Sequence, residues 1–201
     1  MAVLETYEEE IDMRRSWRRL VVVPVAVVLA VAGLSMARAE ATQGFCGQVW
    51  GSLPKQLGNN DPGPLSTLVT GARAGRHACF DRLTIDLTGP PASYRVEYVP
   101  QVISDGSGAP IPLRGGAFLS IVLGAQGNDA NGQATYRPAN RSEAVNVSGY
   151  TTFRQVAYDG SFEGLTSFGL GVRAKLPFRV FVLAGPGSGS RVVVDVSHRW
   201  S

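Results

Sequence analysis

His77 and His198 are the only imidazoles in the 201-residue chain, and no Gly-x-Ser-x-Gly elbow accompanies them. A serine nucleophile needs a base within reach, so the chain is poorly supplied for acyl transfer. Asp159 and Glu163 bracket Gly-Ser-Phe and offer the two carboxylates of a glycosidase, which must stand ~5–10 Å apart across the scissile bond. Gly-rich loops carrying several acids produce such pairs by chance. Asp129 and Asn131 lack the alternating acids and closing Glu of a calcium loop. Two His and two Cys leave little material for a zinc site, so neither metal nor cofactor is expected. Recognition is better served, in the Gly-rich segment from Gly160 to Gly171. Glycines let a backbone approach a ligand closely, Phe162 offers a face to a sugar ring, and Arg154 and Arg173 can fork onto carboxylates. With Glu163 these form the candidate ligand-binding set. A structural reading of the same residues puts Phe162 and Phe168 in the core, Glu163 against an Arg and the glycines in tight bends.

The elements that must position these groups show a period of two from Arg76 onward. Leu83, Ile85 and Leu87 share one face of a strand, Arg82, Thr84 and Asp86 the other, and Gly89-Pro90-Pro91 ends it. Tyr94, Val96 and Tyr98 line one side of the next strand, and the two read together as a hairpin. Residues 117–123 are largely apolar and read as a central strand; residues 152–158, 166–172, 178–183 and 191–197 complete about seven. The fold class is all-β, a single small β-sandwich or partly closed sheet, with no convincing amphipathic helix in residues 76–201. Arg82-Leu83-Thr84-Ile85-Asp86-Leu87 is echoed by Arg191-Val192-Val193-Val194-Asp195-Val196. Arg and Asp four apart project from one strand face, where neighbouring strands could pair them in a charge ladder.

Only 17% of residues are charged and 44% are hydrophobic, which excludes a highly charged disordered chain and a coiled coil. A net charge of +3 with dispersed arginines gives no case for nucleic-acid binding. The layout of charge at the start says more. Five acids lie in residues 1–12, then Arg14, Arg15, Arg18 and Arg19 precede an 18-residue uncharged run from Leu20 to Ala37, followed by Ala37-Arg38-Ala39. Basic, apolar and small-x-small regions in that order read as an export signal. The run would also span about 27 Å as a helix, enough to stay as a membrane anchor through residues 20–37. Met13 begins an ordinary signal peptide; a start at Met1 favours an uncleaved helix with residues 1–19 in the cytoplasm. Both readings place residues 40–201 outside the membrane. The expected divisions are a charged tail at 1–19, a signal or membrane segment at 20–39, an irregular arm at 40–74 and a β domain at 75–201.

Cys46 and Cys79 are the only cysteines, and in an oxidising compartment they are expected to form a disulfide. Its chain-entropy contribution is roughly 3–4 kcal/mol. It would staple an arm that contains Asn59-Asn60-Asp61-Pro62-Gly63-Pro64, a run that breaks helix and strand alike.

Gly75-Arg76-His77 with Cys79 to Leu83, Gly160 to Gly164, Phe168 to Arg173, Leu176 to Val180 and Arg191 to Trp200 resemble the AMIN-like domain of actinobacterial exported proteins. The resemblance covers roughly residues 75–201. It is similar in turn to the AMIN modules that bring cell-wall amidases to the envelope. It implies a β-rich, non-catalytic module outside the cytoplasmic membrane, secreted or anchored, whose partner is peptidoglycan or an attached wall polymer. A glycan-acting hydrolase, or an accessory protein docking on another exported protein through a sheet edge, are the alternatives.

Overall fold

Alternation of apolar residues is realised as strands throughout the computed structural model, which describes residues 45–200. The expected export segment, the two candidate starts and the membrane-length run lie outside the described residues. Among those described, no helix is long and apolar enough to cross a membrane. The strands are β1 (Lys55–Leu57), β2 (Val69–Arg76), β3 (Phe80–Leu87), β4 (Tyr94–Val99), β5 (Val102–Ile103), β6 (Pro110–Ile111), β7 (Ala117–Leu123), β8 (Phe153–Phe162), β9 (Leu165–Val172), β10 (Phe178–Ala184) and β11 (Ser190–Ser197). A five-stranded sheet runs β1-β4-β7-β9-β8, a four-stranded sheet runs β10-β11-β3-β2, and β5 and β6 form a small ribbon. All of these pairings are antiparallel. The result is an all-β, sandwich-like fold rather than a closed barrel, with β7 central as its apolar sequence requires.

The core holds Leu83, Ile85, Leu87, Val192, Val194 and Val196 from the smaller sheet, and Leu119, Ile121, Leu123, Val156, Phe168 and Leu170 from the larger, all in one hydrophobic cluster. Each set comes from alternate positions of its strand, which is why one face of each sheet is dry. Tyr98 closes the margin. Its hydroxyl donates to the Leu176 carbonyl and accepts from the Leu176 N–H, both at 2.9 Å.

Three features differ from the sequence expectation. β3 and β4 are not a hairpin, because β3 lies in the four-stranded sheet and β4 in the five-stranded one. Gly89-Pro90-Pro91 explains this, since two prolines without N–H donors cannot form the tight turn that a hairpin needs, and the chain crosses between sheets instead. The stretch 40–74 is not wholly irregular, for it contains β1 and the first six residues of β2. The Gly and Ala of β2 carry too little hydrophobicity to display a period. Finally, most of the Gly160–Gly171 segment is a hairpin rather than a loop, with only Glu163 and Gly164 between paired Phe162 and Leu165. Both central residues have positive φ, 48° and 83°, the twist that joins right-handed strands in two residues.

The expected disulfide is present, Cys46 to Cys79 with Cα atoms 6.1 Å apart. It fixes the arm where Trp50 packs edge-on against Phe80, ring centroids 5.5 Å apart, and lies under the Arg179 guanidinium at 4.4 Å.

Candidate functional site

The β8–β9 hairpin carries all four candidate ligand residues but separates them. Phe153 is opposite Val172, so Arg154 and Arg173 share one end of the hairpin, while Phe162 and Glu163 occupy the other. Eight residues of strand at ~3.4 Å each put these ends about 27 Å apart. The two arginines are also engaged by their own chain. Arg154 Nη1 donates to the carbonyls of Tyr150, Thr151 and Phe153 at 3.2, 3.3 and 2.8 Å, pinning the approach to β8. Arg173 is solvent-exposed and donates to the His198 carbonyl, tying the end of β9 to the C-terminal segment.

The glycines of β9 face protein. A Cβ at Gly169 would lie 2.9 Å from Leu113 Cδ1, and one at Gly171 would overlap the Arg114 carbonyl. Their role is to let residues 112–114 cross the outer face of the larger sheet, a packing function that a glycine pattern does not distinguish from ligand approach.

At the other end Phe162 is 47% exposed, its ring beside Gly106. It borders a depression of about 90 Å³ that also holds the carboxyl-bearing Asp105 and Asp159 and the backbone of Gly160. Asp159 accepts the Asp105 N–H at 3.2 Å, and Asp105 accepts the Ser167 hydroxyl. Two carboxylates beside an exposed ring can accept hydroxyl hydrogens from a sugar whose apolar face lies on Phe162. Asp105 has no sequence signature of its own, because the β5–β6 ribbon brings it to this end. Glu163 stands exposed at the hairpin tip.

The remaining chemical candidates have structural partners. His77 stacks on Phe80 at 4.4 Å. His198 is buried with its Nε2 3.2 Å from Asp81, whose other oxygen accepts the N–H groups of Thr152 and Phe153 at 2.6 and 3.1 Å. Asp129 accepts the N–H groups of Asn131 and Gln133, a local turn. Among the described residues no three His, Cys, Asp or Glu side chains cluster as metal ligands.

The sequence echo resolves into a reciprocal pair. β3 and β11 are antiparallel neighbours, so Arg82 faces Asp195 and Asp86 faces Arg191. Asp195 is fully buried and holds Arg82 through Nε and Nη2 at 2.6 and 2.8 Å, and Arg179 at 2.9 Å. These bonds outweigh the partial burial of Arg82 and raise its pKa further above the ordinary arginine value.

Fold and surface together define a disulfide-stapled antiparallel β-sandwich domain with an aromatic and carboxylate-lined end and an arginine-rich sheet face. The sequence model of the AMIN-like domain matches residues 67–198, and the chain belongs to the AMIN-like domain family. That membership marks a cell-wall-related domain of a generally non-catalytic kind, and with the disulfide it marks an extracytoplasmic protein. Neither the curated proteins nor the solved structures gave a match.

Proposed function

We propose that the protein is an exported, non-catalytic envelope module that binds peptidoglycan or a polymer attached to it. The observation that carries this reading is the AMIN-like match over residues 67–198, which takes in ten of the eleven strands, β2 to β11. The N-terminal signal supports export, with the protein released after cleavage near Ala39 or held through residues 20–37. Of the four residues chosen from sequence, Phe162 and Glu163 are the pair open to a glycan, beside Asp105 and Asp159. Arg154 and Arg173 enter the proposal as contacts at the far end, each having a backbone partner to give up.

The test is sedimentation of the exported protein with purified cell wall, run beside a turnover assay on the same material. Binding without release of soluble fragments is expected, weakened in Phe162→Ala while the fold survives. Fragment release that disappears in Asp159→Asn or Glu163→Gln would establish the hydrolase instead. Absence of sedimentation with every wall fraction at low salt would move the function to docking on another exported protein.

A further inference from the structure

The outer face of the four-stranded sheet is a lattice of arginines whose charges are met unequally. One cross-strand row holds Arg179, Asp195, Arg82 and Gly75; four residues along the strands, another holds Leu183, Arg191, Asp86 and Gly71. In the first row Asp195 serves both neighbouring arginines. In the second, Asp86 faces Arg191 across the ladder yet gives its carboxylate to Arg73 on β2. Arg191 is left donating from Nη2 to the Ala184 carbonyl at 3.0 Å. Its Nε is shielded from solvent and has no hydrogen-bond partner among the described residues. A shielded donor without an acceptor is destabilising, and here it belongs to a group that is always charged.

Arg191 also lines a depression of about 250 Å³ between the rows, together with Arg73, Arg82, Thr84 and Leu183. Gly75 opens this space, since even a Cβ there would come no closer than 3.7 Å to another residue. Four arginines against two aspartates leave the face net positive. The excess centres on Arg191, because the other three guanidinium groups each have an aspartate.

We propose that this depression binds an oxyanion group, carboxylate or phosphodiester, carried on the wall polymer, with Arg191 and Arg73 as its donors. The inference rests on the wall-binding reading for the source of the group. A planar guanidinium fork matches both oxyanions. Asp86 competes for Arg73, so the site is of modest affinity, and its half-exposed charges make it salt-sensitive.

The test titrates the full-length protein with inorganic phosphate and, separately, with N-acetyl-alanyl-alanine, whose only charge is a carboxylate, while arginine Nε–H resonances are followed by NMR. Wall sedimentation is then compared for wild type, Arg191→Gln, Arg73→Gln and the exposed control Arg137→Gln. The expected result is a shift of the Arg191 resonance that vanishes at high salt. Wall affinity should fall about fivefold or more in Arg191→Gln and Arg73→Gln, as loss of one charge-assisted hydrogen bond dictates, and hold in the control. The urea midpoint of Arg191→Gln should equal or exceed that of wild type, because an unmet donor and a positive charge are removed together; a purely structural Arg191 would lower it. A response to phosphate alone or to the carboxylate alone supports the site and assigns its source. A resonance shift in a protein that never sediments keeps the oxyanion site and removes the wall as its source. No shift with either probe, together with undiminished sedimentation of both variants, overturns the site while wall binding stands and passes to the Phe162 end.

Discussion

Replacing Asp81 should be among the most damaging single changes in the domain, because one buried carboxylate joins three parts of the chain. It lies on β3, accepts the N–H groups of Thr152 and Phe153 at the entry to β8 in the other sheet, and touches the ring of His198 near the C-terminus. Asp81, Thr152 and Phe153 are essentially inaccessible to water, so a lost acceptor is not replaced by solvent. In Asp81→Ala both N–H groups go unmet at ~1–3 kcal/mol each, for a total near 4 kcal/mol. Asp81→Asn keeps one oxygen for the two N–H groups and loses only the charge assistance, about 2 kcal/mol. Urea unfolding of the oxidised protein reads the difference. With a slope of ~2 kcal/mol/M, the midpoint should fall by about 1 M for Asn and about 2 M for Ala, with unchanged slope. A shift below about 0.5 M for both variants, or equal shifts for the two, would refute the idea that this carboxylate is the buried tie between the sheets.

Removing the Cys46–Cys79 bridge by double Ser substitution should lower stability by about 3.7 kcal/mol at most, from the 33-residue separation and the loop-entropy relation; unfolding under matched oxidised conditions measures it. Burial pushes the Tyr98 phenol up to about 12, against ~10 when unfolded. Its contribution is complete below pH 10 and is lost as pH rises from 10 through 12, up to about 2.7 kcal/mol; urea midpoints across that window should drop, and drop less in Tyr98→Phe. Gly171→Ala should destabilise by more than ~2 kcal/mol or displace residues 112–114, because the new methyl meets the Arg114 backbone, whereas Gly75→Ala finds open space and should change the midpoint little beyond the backbone effect.

The sequence by itself determined seven of the strands, β3, β4 and β7 to β11, and which faces of the alternating ones are dry, since alternation is a property of residues two apart and burial merely realises it. Leu83, Ile85 and Leu87 are inward for the same reason in the chain as in the sandwich. The disulfide was legible too, because two cysteines in a chain read as lying outside the cytoplasm have one pairing available. At the candidate site the sequence singled out Phe162 and Glu163, now seen at an exposed hairpin tip, but not that Arg154 and Arg173 lie at its far end.

Tertiary structure alone decided what each strand lies beside. β3 and β4 part company because inter-sheet burial is a non-local choice that no local period encodes. β2 was hidden by small residues whose strand character comes from pairing with β3. Gly169 and Gly171 are there for a crossing chain more than forty residues upstream, a contact invisible to spacing. The echoed Arg and Asp residues show the same division. Their repetition was plain in the sequence, but only the antiparallel register of β3 and β11 sets each Arg opposite an Asp, and only the nearer claim of Arg73 on Asp86 leaves Arg191 without an aspartate among the described residues, because a carboxylate is won by whichever guanidinium the fold brings within hydrogen-bond reach.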